Sequence, residues 1–159
     1  MAARIDDLYE TDFYAWTQAQ AKALRGFQAT RPNVEIDWRH LIAEVEDLGK
    51  EQRNALRSWT TRIIEHLLLL GYSRAVDPRH SWMGEIIDFR DEIESRLTPT
   101  LRRDLSRNLP RLYGKARERV VRKSATHRET SIAARLPETC PWTLAQLLDP
   151  DWWPGEPRD

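Results

Sequence analysis

Counting from Trp38 in alternating steps of four and three lands on Ile42, Val45, Gly49, Gln52, Leu56, Trp59, Ile63, His66 and Leu70. A seam of this length belongs to helix, because a strand would throw alternate members onto opposite faces. It is heptad-like and is interrupted at Gly49, Gln52 and His66. Asp37, a good capping residue, opens it. Gly49 allows either one long helix with a weak point or two helices that meet there. A glycine inside a helix costs about 1 kcal/mol relative to alanine, too little to decide against tertiary packing. A break or kink at Gly49 is the expectation.

The same periodicity organises the rest of the chain, and strand signals are nearly absent. A first helix is predicted from Thr11 or Asp12 to about Phe27, ended by Gly26 and the stretch ATRPN, with Phe13, Trp16, Ala19, Ala23, Leu24 and Phe27 on one face. After GYSRAVDPRH, a loop by its Gly and Asp-Pro, a third helical region starts near Ser81 with Trp82, Ile86, Phe89, Ile93 and Leu97 as its stripe. Thr98 caps the next helix and Pro99 takes its first position, where a missing N–H costs nothing. Asn108-Leu109-Pro110 is read as a short junction before a final long helix that runs toward residue 125. The tail, LPETCPWTLAQLLDPDWWPGEP, is rich in proline and tryptophan and holds one short helix near Trp142 to Leu148. Such a segment cannot fold alone, so it is expected to wrap the helices, docking Trp142, Leu144, Leu147, Leu148 and Trp152. The fold class is all-α: a compact bundle of about five helices within a single domain, residues 1–159, with residues 137–159 as the wrapping tail.

Composition excludes several classes of function. With 159 residues, 40% of them apolar and 31% charged, the chain suits one soluble globular domain and is too apolar for disorder. Its 25 basic and 25 acidic residues cancel, so no global field pulls it toward nucleic acid or an anionic membrane. Cys140 has no partner cysteine, which fits a reducing compartment. The start, MAARIDDLYE, has no apolar signal core, and the run Leu67 to Leu70 is far too short to span a bilayer. A cytoplasmic location is the expectation.

Five stretches, YETDFYAWTQAQAKALR, IDWRHLIAEVEDLG, EHLLLL, SWMGEI and LPETCPWTLAQLLDPDWWP, occur in an order and spacing that resemble a bacterial family catalogued as domain of unknown function 29. The resemblance covers about Leu8 to Pro154. It implies an all-helical bacterial domain and brings no activity, substrate or catalytic residue with it.

Candidate site residues must therefore come from the chain itself. Asp37, His40, Glu44, Asp47, Glu51 and Asn54 fall on one side of the second helix. A divalent-metal site drawn from His40, Glu44, Asp47 and Glu51, joined by His66, is one reading of this row. A second acidic row stands at Glu85, Asp88 and Glu92. Metal sites in bundles draw ligands from several helices, often through a Glu-x-x-His pair, and no such motif, His-Glu-x-x-His or paired cysteine occurs. A solvated face is the favoured reading, since charges lie opposite the seam of any surface helix. His66 lies in the apolar seam and is expected to be a buried histidine with a hydrogen-bonded ring nitrogen.

Other chemistry finds less support. There is no Gly-x-Ser-x-Gly elbow and no phosphate-cradling glycine loop. Cys140 precedes proline with no histidine near it in sequence, and reads as a small buried residue at a turn. Of the pair Trp152-Trp153, one is expected to be exposed, because both cannot easily bury on one face. Arg103, Arg107, Arg111, Lys115, Arg117, Arg119, Arg122 and Lys123 stand against only Asp104 and Glu118 over the same stretch. Arg103, Arg107, Arg111, Lys115 and Arg122 form a possible binding face for phosphate backbones. Pairing with the acidic rows of the same molecule, or plain solvation, is the favoured alternative, given overall neutrality. These readings give a non-catalytic binding or interaction module, without cofactor, whose partner is left open: a protein is one candidate, a nucleic acid a less favoured one, and a membrane is not expected. A metal-dependent hydrolase or nuclease built on the His40 row is the competing reading.

Overall fold

A computed structural model describes residues 5–30, 33–126 and 129–155. Its regular structure among these residues is entirely helical: α1 (Ile5–Thr11), α2 (Phe13–Thr30), α3 (Trp38–Tyr72), α4 (Arg79–Glu94), α5 (Pro99–Thr126), α6 (Ile132–Arg135) and α7 (Leu144–Leu148). Five of these have seven residues or more. None is long and apolar enough to cross a membrane among the described residues. The chain groups into two compact units, Met1–Ala55 with Thr98–Arg103, and Leu56–Leu97 with Asp104–Asp159.

In the first unit, α1 was not foreseen, because its apolar residues are few. Tyr9 secures it by setting its ring edge-on to Phe13 and Trp16 at 5.8 and 5.0 Å. Asp12 then caps α2 as its residue type predicts, its carboxylate accepting from the Ala15 N–H at 3.0 Å and the Thr100 N–H at 2.9 Å. Burial alone would raise the pKa of Asp12, but these hydrogen bonds prevail and hold it below the usual carboxylate range. α2 runs past Gly26 and Phe27 to Thr30, so glycine alone did not stop it; Arg31 and Pro32 of the ATRPN signal lie outside the described residues. Asp37 caps α3, accepting from the His40 N–H at 3.2 Å.

The expected break at Gly49 is not there, and α3 is continuous through it. A Cβ at Gly49 would fall well inside contact distance of Thr17 Oγ1 and 3.2 Å from Tyr14 Cδ2. The glycine is thus a point of close approach between α2 and α3. A hydrogen atom in place of a methyl group lets the two backbones meet, and the packing gained offsets the propensity lost.

The second unit has the larger apolar interior. Every residue from Ile63 to Gly71 is buried, Glu65 and His66 included, so this half of α3 is surrounded on all sides. Ile86 and Ile93 of α4, and Leu105, Leu112, Tyr113, Ala116 and Val120 of α5, complete the core with Ile132, Leu136, Leu144 and Leu147. α5 passes straight through Pro110, where a junction was expected. Pro110 and Ser106 are both exposed, so the Ser106 carbonyl that loses its helical donor can turn to water. The buried stripe on the other side continues unbroken.

The tail docks as its composition implies. Pro137 offers its carbonyl to Tyr113 Oη at 2.6 Å and Arg117 Nε at 3.1 Å, and Thr143 and Gln146 form a reciprocal capping box at the start of α7. Burial pushes the Tyr113 pKa up to about 12, so its hydroxyl remains a donor to that carbonyl at any physiological pH. Arg90 of α4, only 4% exposed, holds the far end: its Nε donates to the Leu147 carbonyl and its Nη2 to the Trp152 carbonyl, both at 2.9 Å. Trp153 covers the Arg90 guanidinium at 5.0 Å, and Trp152 packs edge-on to Trp142. Trp152 and Trp153 are therefore both half-buried, correcting the expectation that one stands free.

Candidate functional site

The second unit contains a cleft of about 370 Å³ between the last turns of α3, the start of α4 and the end of α5. Its apolar walls are Leu69, Ala75, Pro78 and Trp82, and its polar groups are His66, Ser73, Lys123, Ser124 and Glu129. Size and lining match a small-molecule site, which is mostly apolar with a few placed polar groups.

Each polar group is positioned by the fold. Glu129 ties the end of α3 in place, accepting from Ser73 Oγ at 2.9 Å and from the Arg74 N–H at 3.0 Å, with Arg135 at 3.5 Å. Arg79 donates to the Leu70 carbonyl at 2.8 Å, satisfying one of the last acceptors of α3. Beneath Lys123, Glu65 is fully buried and ion-paired to the lysine ammonium, with Arg62 at 3.4 Å and Arg119 at 3.9 Å. The reading of charges as a wet face missed Glu65. Its place in IIEHLLLL, beside the seam residue His66 and between two apolar runs, is the signal that could have found it.

His66 is buried as its seam position predicts, at 4% exposure, and its ring stacks parallel to Phe89. Its Nε2 lies 2.9 Å from Glu85 Oε2, while Nδ1 has no hydrogen-bond partner among the described residues. The partner expected for one ring nitrogen is thus the Glu85 carboxylate, and the other nitrogen is left without one. Burial lowers the His66 pKa, only partly opposed by the charges of Glu85 and Glu65, with Arg62 reinforcing the shift. The unfolded chain accordingly binds a proton more readily than the folded one. Stability is complete above the ordinary histidine value of about 6.5 and should fall as pH drops from there toward the lowered folded pKa. His40, whose pKa is raised by its hydrogen bond to Asp37, acts in the opposite direction but is fully exposed and screened. Thermal melts from pH 7.5 to 5 should therefore show a loss in the wild type that His66→Gln removes; identical pH slopes would refute this.

The His40 row lies on an exposed face of α3 in the first unit, with His40, Glu44, Asp47 and Glu51 all exposed. His40 Nδ1 pairs with Asp37 at 2.6 Å and Asp47 with Lys50 at 2.9 Å, while His66 belongs to the second unit. No three His, Cys, Asp or Glu residues gather to hold a metal ion among the described residues. Of the basic face, Arg103 reaches Thr100 Oγ1 at 3.3 Å and Arg122 pairs with Glu118 at 2.9 Å. Arg107, Arg111 and Lys115 are exposed, and none has a hydrogen-bond or ion-pair partner among the described residues. The acidic rows find other neighbours, since Glu85 faces His66 and Glu92 pairs with Arg96 at 3.1 Å, while Arg119 and Lys123 of the basic stretch reach the buried Glu65. Cys140 is half-buried and its thiol pKa is raised by burial, the reverse of what a nucleophile needs.

The profile of a family described as domain of unknown function DUF29 matches residues 8–153. The chain belongs to this family. A crystal structure at 1.45 Å resolution of an alpha-helical protein of unknown function from Rhodospirillum rubrum ATCC 11170 resembles this DUF29 domain with a TM-score of 0.71 and 23% identity. The likeness covers 91% of this chain and 90% of that one, and at this identity it shows the fold alone. No functionally curated protein matches the sequence. Within the DUF29 domain, the residues with chemical potential are thus those that the geometry gathers: His66, Glu85, Glu65, Lys123, Ser73 and Glu129.

Proposed function

We propose that this DUF29 domain is a non-catalytic binding module that takes a small, largely apolar molecule into the cleft of its second unit. The observation that carries the reading is the cleft itself, about 370 Å³ with Trp82, Leu69 and Pro78 as walls and a buried histidine whose Nδ1 lacks a hydrogen bond among the described residues. An unsatisfied buried polar group costs stability, and sites that keep one often use it for a ligand. Binding rather than catalysis is favoured because the serine beside the cleft, Ser73, donates to Glu129, an arrangement that ties α3 down. The probe is 8-anilinonaphthalene-1-sulfonate, whose fluorescence should rise with a stoichiometry of about one per chain. Trp82→Ala should weaken that binding and Ala75→Trp, which fills the cleft, should abolish it. A folded chain that leaves the dye dark, or binds it equally well with Ala75→Trp, would overturn the reading.

A second reading is favoured by one observation, the three cations Arg107, Arg111 and Lys115, exposed and without a partner among the described residues. The continuity of α5 through Pro110 sets them at steps of four on one side, about 6 Å apart along the axis. Such a row suits phosphates. Binding of a short DNA duplex at low salt, lost steeply as salt rises and abolished by reversing all three charges, is the expected result. Absence of any salt-sensitive binding would dismiss it.

A further inference from the structure

The electrostatics around Glu65 narrow the ligand class, an inference that rests on the reading of the cleft as a binding site. Glu65 is fully buried, and Lys123, Arg62 and Arg119 all face its one carboxylate. One negative charge cannot neutralise three positive ones. Of the three, Lys123 alone lines the cleft, with its side chain half exposed. It is also the most mobile in kind, a compact ammonium with three donors on a flexible stem. Breaking a buried ion pair is costly when it strands a charge. Here it would not, since Glu65 would keep two guanidinium groups. The other carboxylate on the cleft, Glu129, is already engaged by Ser73, the Arg74 N–H and Arg135. A cationic ligand would find no free acid, whereas an anionic one would find a lysine that can be released.

We propose that the cleft binds amphipathic anions, molecules with an apolar body and one terminal carboxylate, and that Lys123 exchanges Glu65 for the ligand's carboxylate while Arg62 and Arg119 hold Glu65. The apolar body lies against Leu69, Pro78 and Trp82. Nothing covalent is involved.

The test uses the intact chain and three probes that share one alkyl body, octanoate, 1-octanol and octylamine, each titrated calorimetrically and by displacement of the naphthalene dye. Octanoate should bind on the order of tenfold more tightly than octanol, the worth of one charge-assisted hydrogen bond, and octylamine more weakly than either. Lys123→Gln should bring octanoate down to the level of octanol in the same variant, and Lys123→Arg, which keeps the charge, should retain the preference; the circular dichroism melt of each variant shows that it is folded. Arg119→Gln should reduce the preference for octanoate, because Glu65 then needs its lysine. Equal binding of octanoate and octanol, or a preference that survives Lys123→Gln, would overturn the ligand class and leave the cleft standing. Failure of all three probes to bind or to displace the dye would overturn the cleft reading with it.

Discussion

Replacing Arg90 with alanine should destabilise the second unit by about 3 kcal/mol and loosen the tail. The Arg90 guanidinium is buried and reaches the carbonyls of Leu147 and Trp152 at 2.9 Å and those of Gln146 and Pro150 at 3.5 Å. Two of these belong to the last turn of α7, where a cation also meets the negative end of the helix. Without the guanidinium these acceptors must either stay unpaired or find water, which requires the tail to lift. Arg90→Met keeps the volume but supplies no donor, so it should lose nearly as much. The deciding comparison is a chain truncated after Arg135, which lacks the buried Leu136, Leu144 and Leu147 and should melt lower still or aggregate. In that background Arg90→Ala should cost nothing more, because its partners are gone. Additive losses, measured by urea denaturation, would show that Arg90 does not act through the tail.

Gly49→Ala should destabilise the first unit by about 1 to 2 kcal/mol, although alanine is the better helix former. The added methyl would meet Thr17, fully buried and held by its hydroxyl donation to the Tyr14 carbonyl at 2.7 Å. A β-branched side chain fixed in this way cannot turn aside, so α2 must move from α3. Gly49→Leu should exceed the alanine effect several-fold. Thr17→Ala should rescue Gly49→Ala in part by removing the atom struck first. A more stable Gly49→Ala variant in thermal melts would mean that the helices do not approach as described.

The two misplaced junctions share one cause. At Gly49 and at Pro110 the local cost of staying helical is about 1 and 3 kcal/mol respectively, small against the burial of an apolar stripe on both sides. Neither cost can be weighed without knowing what the stripe meets. For Gly49 that is Thr17, distant in sequence; for Pro110 it is solvent on the face where the carbonyl is freed. The caps at Asp12, Asp37 and Thr98 were legible because a cap is a local hydrogen bond between near neighbours.

The candidate site was legible only at His66, and for a reason of the same kind. A polar residue in an apolar seam is visible in one helix, and the structure buries it there. Glu65, Lys123, Ser73 and Glu129 come from separate stretches, so their charges looked like any exposed charges until α3 and α5 brought them together. Conversely, the His40 row, conspicuous in sequence, faces outward.

Sequence alone determined the helical class, the seam of α3, the caps and the docking of a tail that cannot fold by itself, because periodicity, capping and composition act within a few residues along the chain. Tertiary structure alone decided which charges are buried, which helices run on through glycine and proline, and where a cleft opens. Those outcomes depend on desolvation and close packing between segments far apart in sequence, and each is settled by the partner that the fold supplies.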